Sequence, residues 1–124
     1  MKKSITIFLI GVLCASFLLS ACQKEPSARE VAEEFIEAIK EGEYAKAYEQ
    51  VDEEMENAIE ESDLSYIWIS LELSIGENES LTYDRTEKDG ENEVVFMKGV
   101  FAEGDVTFMI TINKDKEVAG FVVA

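Results

Sequence analysis

Apolar residues recur along this chain in three different patterns, and each predicts a different element. From Ile5 to Leu19 they are nearly continuous (ITIFLIGVLCASFLL). From Ala28 the spacing becomes helical: Ala28, Val31, Ala32, Phe35, Ile36 and Ile39 fall on one face and predict a helix over 28–41. Ser27-Ala28-Arg29-Glu30 has the S-x-x-E form of a capping box at its start, and Gly42 supplies a stop. Tyr44, Ala47, Tyr48 and Val51 continue the pattern in a short second helix. Asp52 can cap a third, with Met55, Ala58 and Ile59 inward and Glu53, Glu54, Glu56, Glu60 and Glu61 outward.

The segment DLSYIWISLELSIG, residues 63–76, fits two templates. At helical spacing Leu64, Ile67, Trp68, Leu71 and Ile75 form one stripe. At period two Ile67, Ile69, Leu71, Leu73 and Ile75 alternate with Trp68, Ser70, Glu72 and Ser74. The isoleucines suit a strand, whereas Asp63 as N-cap and Gly76 as stop suit a helix, which is the preferred reading. If it is a helix, Tyr66, Ile69 and Leu73 form a second apolar stripe opposite the first. After Gly76 the pattern changes to short β-rich runs: Ser80–Thr86, Asn92–Phe101, Val106–Ile112 and Glu117–Val123. Hairpin chemistry separates them at Lys88-Asp89-Gly90-Glu91, Glu103-Gly104-Asp105 and Asn113-Lys114-Asp115-Lys116. Helices first and a meander last predict an α+β fold, with the N-terminal helices packed on one face of a curved antiparallel sheet.

The first apolar run has another meaning. Lys2 and Lys3 precede it, its length is that of a signal-peptide core, and it ends in Leu19-Ser20-Ala21-Cys22. This resembles the lipobox of bacterial lipoproteins at every position. The resemblance implies cleavage between Ala21 and Cys22, and lipidation of the Cys22 thiol. It divides the chain into a signal peptide (1–21), a lipidated cysteine with a short tether (22–27) and a single domain (28–124). Two or more acyl chains anchor stably where one does not. The tether Gln23–Pro26 reaches roughly 15 Å when extended, so the domain would sit against the headgroups on the extracytoplasmic side. Gln23 after the cysteine implies the outer membrane in a two-membrane bacterium. Cys14 would leave with the signal, so the mature chain would hold no free thiol and no disulfide.

The domain itself is similar to a known family. The residues that carry the likeness are Phe35, the step Gly42-Glu43-Tyr44-Ala45-Lys46-Ala47-Tyr48, then Leu64, Trp68, Leu71 and Gly76, and the last hairpin ending Val118-Ala119-Gly120-Phe121. They resemble the domain-of-unknown-function-3887 family of exported proteins, within the nuclear-transport-factor-2-like superfamily. The likeness implies a cone of bent antiparallel sheet around N-terminal helices, no established reaction, and dimers formed through the outer sheet face. It also favours the helix for 64–75.

Charge and missing residue types narrow the function. The chain has 27 acidic and 11 basic side chains; loss of Lys2 and Lys3 with the signal leaves 9 basic and a net charge of −18. Such a surface repels nucleic acid and attracts cations or basic partners. There is no histidine, so histidine-based acid–base, nucleophilic and metal chemistry is excluded. No G-x-S-x-G or phosphate-binding loop is present. The sequence therefore points away from an enzyme, and no cofactor is implied.

Three groups of residues remain as candidates. Tyr44, Tyr48, Trp68, Phe96 and Phe108 could line a pocket in the cone. Glu53, Glu56 and Glu60, side by side on a helix, could hold a divalent cation weakly. Tyr66, Ile69 and Leu73 could contact a partner, either a second copy of the chain or an envelope protein. The expected function is a membrane-anchored, non-enzymatic binding or accessory module for a protein or envelope component. The alternative is a lipoprotein that binds a small ligand or cation through the pocket or the acidic helix face.

Overall fold

A computed structural model describes residues 25–124. The signal segment, the lipobox and Cys22 lie outside the described residues. Among the described residues four helices, α1 (Ala28–Lys40), α2 (Tyr44–Tyr48), α3 (Glu53–Ala58) and α4 (Glu61–Ile75), precede four strands, β1 (Asn78–Asp89), β2 (Asn92–Phe101), β3 (Gly104–Ile112) and β4 (Val118–Val123). The strands form one antiparallel meander in the order β1-β2-β3-β4. The sheet is curved and unclosed, with the helices on its inner face. This is the α+β arrangement expected of the sequence.

Local chemistry starts and stops the helices. Ser27 Oγ accepts the Glu30 N–H and Glu30 Oε1 accepts the Ser27 N–H, both at 3.2 Å, completing the capping box of α1. Gly42, at φ +79°, lets the chain leave α1, and the Glu43 N–H returns to the Ala38 carbonyl at 2.8 Å. Residues 61–75 are helical, but the N-cap is Glu60 rather than Asp63. Asp63 lies one turn inside, where its carboxylate reaches back to accept the Glu60 N–H at 2.7 Å. Gly76, at φ +89°, ends α4, and any Cβ there would lie 2.7 Å from the Ala102 Cβ. That close approach docks the α4–β1 junction on the β2–β3 turn. The Ala102 N–H donates to the Glu77 carbonyl at 3.0 Å and the Glu103 N–H to the Ile75 carbonyl at 2.7 Å. Because this junction holds the turn at Ala102–Glu103, Gly104 and Asp105 already belong to β3 rather than to a loop.

Two apolar residues fall elsewhere than the helical pattern predicts. Val51 does not extend α2. It stays buried in the core but leaves the helix as a single parallel bridge to Val118, with the Val118 N–H donating to the Gln50 carbonyl (2.8 Å) and the Asp52 N–H to the Val118 carbonyl (2.9 Å). The helical layer is thereby tied to the first residue of β4. Asp52 Oδ1 accepts the Met55 N–H at 2.9 Å and caps α3 as expected, but Ala58 is exposed; only Met55 and Ile59 reach the core.

Alternation places Val95, Met97 and Phe101 of β2, Phe108, Ile110 and Ile112 of β3, and Val118 of β4 in the core under α1 and α4. Trp68 stacks on Phe108 (5.9 Å, 21°), Phe108 on Phe121 (6.0 Å, 17°), and Phe35 meets Phe121 edge-on (5.3 Å, 83°). Gly99 makes room for this stack: a Cβ there would come within 2.6 Å of the Phe108 ring. Register shifts in β1 between Asn78 and Ser80 and between Tyr83 and Arg85, and in the β3–β4 pair beside Ile112, add the local bends that a curved sheet needs.

Candidate functional site

The five aromatic pocket candidates do not meet around one cavity. Trp68 and Phe108 are buried against each other and fill the core. Tyr44 is half-buried against the same cluster. Tyr48 is half-buried too, and its hydroxyl lies 2.9 Å from the carbonyl oxygens of both Glu56 and Ile59, so it caps the end of α3. Its pKa is raised above the ordinary tyrosine value, by burial first and then by the negative charges of Glu56, Glu60, Asp63 and Glu61. Phe96 sits on the other side of the sheet, under the Arg85 guanidinium at 3.9 Å.

A depression of about 320 Å³ does exist, on the outer sheet face. Thr82, Lys98 and Thr107 stand in register across β1, β2 and β3 and line it, and Lys98 Nζ lies 3.6 Å from Asp105. Sequence reasoning missed it because its groups come from three strands. The only signal was that these polar residues occupy the alternate positions facing away from the core.

The carboxylate candidates separate as well. Glu53 and Glu56 are on α3, but Ile59 is extended (φ −132°, ψ 162°), so Glu60 belongs to the start of α4. Helical spacing alone predicts all three on one helix, but the break at Ile59 separates Glu60 from the other two. Among the described residues no three carboxylates stand together in a way that could hold a metal ion.

The third group is different. Tyr66, Ile69 and Leu73 lie on one face of α4, directly opposite Leu64 and Trp68, and are 73%, 50% and 83% exposed. Together with Val122 on β4, at 54%, they are the large apolar side chains that the described residues leave in solvent. No helix among the described residues is long and apolar enough to cross a membrane, so α4 is not a span. The face shown by α4 is two turns long and uncharged between Asp63 and Glu72, and Trp68 on the opposite side of the helix packs into the core against Phe101 and Phe108.

Helices followed by a curved, open antiparallel sheet define a cone-like α+β protein. Within that class the chain belongs to a family whose sequence model matches residues 32–121 and whose description is "Protein of unknown function (DUF3887)". No curated protein and no solved structure matches the chain.

Proposed function

We propose that the protein is a lipoprotein held through Cys22 at the extracytoplasmic face of a membrane, where its domain binds a protein or envelope component without transforming it. The address rests on the sequence: Lys2 and Lys3, the apolar run and Leu19-Ser20-Ala21-Cys22 stand in the order and spacing of a lipoprotein signal. The observation that carries the binding role is the stripe of Tyr66, Ile69 and Leu73. Three large apolar side chains in water on one helix face are what a docking surface presents and what an isolated acidic domain has no need of. A chain without histidine, whose carboxylates are spread over exposed helix and turn positions, supports binding over catalysis.

Two measurements test this. Metabolic labelling with a fatty-acid analogue should mark the protein, and Cys22→Ser should abolish both the label and membrane retention. Mild crosslinking in native membranes should yield a stoichiometric partner that Ile69→Glu removes while the fold is kept. A labelled, membrane-bound protein with no partner would retain the address and reject the binding role.

A further inference from the structure

The charges around the outward face of α4 give the chemistry of what it binds. We infer that α4 docks a basic amphipathic segment of a protein partner: an apolar anchor lying across Tyr66, Ile69 and Leu73, with lysine or arginine at each end. This rests on the binding-module reading above and specifies its partner.

Leu64 to Leu71 contains no charged residue, and serines (Ser62, Ser65, Ser70, Ser74) flank the apolar stripe. That is an unusual helix face on a chain with 27 acidic side chains. Its two ends are the reverse. Glu61 and Asp63 stand exposed at the start of α4. Glu72 and Glu77 lie at its finish, and Glu103 is brought there by the hydrogen bond from its N–H to the Ile75 carbonyl. The last turn of α4 carries no basic residue, so the negative end of the helix dipole adds to those carboxylates. From Tyr66 to Leu73 the anchor site is about 10 Å long at 1.5 Å per residue, which matches two turns of a facing helix.

Charge complementarity selects among occupants. Two copies paired antiparallel along α4 would set the Asp63 end of one against the Glu72 end of the other, four acidic clusters with no cation between them. An anionic lipid surface meets the same repulsion. A partner helix with apolar residues at i, i+3 and i+7 and cations beyond them satisfies the centre and both ends.

The test places a photo-crosslinking amino acid at position 66, and in a second variant at position 122, of the full chain in its own membranes. The expected adduct at position 66 is to a protein segment with helically spaced apolar residues between lysines or arginines. Its yield should fall about tenfold between about 0.05 M and about 0.5 M salt, and to background in the Ile69→Ser, Leu73→Ser double variant. An adduct to another copy, to lipid or to a segment without cations overturns the inference, as does no adduct at 66. If position 122 captures a protein while 66 captures none, the binding-module reading stands and only this surface assignment fails. If neither position captures anything, both fall. A separate titration uses a synthetic helical peptide with leucines at i, i+3 and i+7 and lysines at both ends, against the same peptide with glutamates. Binding at least about tenfold tighter for the lysine peptide is expected; equal affinity overturns the inference.

Discussion

Helices α1 and α4 are built to opposite plans. In α1 every large apolar residue faces one way, and Val31, Phe35, Ile36 and Ile39 are all buried; the outer face is Arg29, Glu30, Glu33, Glu34 and Glu37. In α4 only Leu64 and Trp68 are fully buried, and Tyr66, Ile69 and Leu73 point the other way into water. The apolar surface of α1 is fully used in making the core. That of α4 exceeds what the core can cover, because a single sheet offers each helix one packing face. Amphipathic symmetry therefore separates residues that make the fold from residues available to a partner, and mutations should divide along the same line.

The largest effect is expected on the inner face. Trp68 stacks on Phe108 and meets Phe101 at a tilt, so Trp68→Ala removes a ring from a close-packed cluster and should cost about 3–5 kcal/mol, measured by denaturant unfolding followed by circular dichroism. Next comes the sheet beneath it. Gly99→Ala drives a methyl into the Phe108 ring and should cost about 1–3 kcal/mol, with Trp68 fluorescence as the readout. If either change proved neutral, the core would not depend on this stack and the contrast between the two faces of α4 would lose its basis.

How much of this was legible in the sequence follows from the same contrast. One-sided α1, with Ser27 and Glu30 in a capping box and Gly42 beyond, was readable nearly to the residue because cap, period and stop all agree. Residues 64–75 fitted two periods at once for the reason that now matters: a helix apolar on both sides has lost the asymmetry by which helices are recognised. Val51 looked helical because its partner, Val118, is 67 positions away, and a one-residue bridge leaves no periodic trace. The aromatic candidates failed as a pocket because residue type cannot say which side of a strand faces the core. Phe96 and Met97 are neighbours in sequence and lie on opposite faces of β2.

A smaller, pH-dependent effect belongs to the joint between the helices. The Tyr48 phenol is held protonated by burial and by the carboxylates around it, so its folded pKa lies above its unfolded value near about 10. The contribution it makes is present in full below the unfolded pKa and is lost as pH rises through the folded one. Stability should therefore decline above about pH 10, and Tyr48→Phe should flatten that decline while lowering stability at neutral pH through loss of the hydroxyl contact to the α3 carbonyls. A wild-type alkaline slope unchanged in the variant would remove Tyr48 as its source.

The smallest change in stability should come from the residue that looks most costly to a hydropathy scale. Leu73 is 83% exposed, so Leu73→Ser removes almost no buried area and leaves no cavity. It should shift unfolding by no more than about 0.5 kcal/mol. Leu64, three residues before Ile67 on the same helix but fully buried, should cost about 2–5 kcal/mol when truncated to alanine. If the two substitutions cost the same, Leu73 would be packed against something within the chain, and its exposure would not identify a docking face. If Leu73→Ser is neutral to folding yet abolishes partner crosslinking, stability and binding separate on two sides of one helix. The second stripe of α4 then has no structural reason to be apolar, and association is the remaining physical cause.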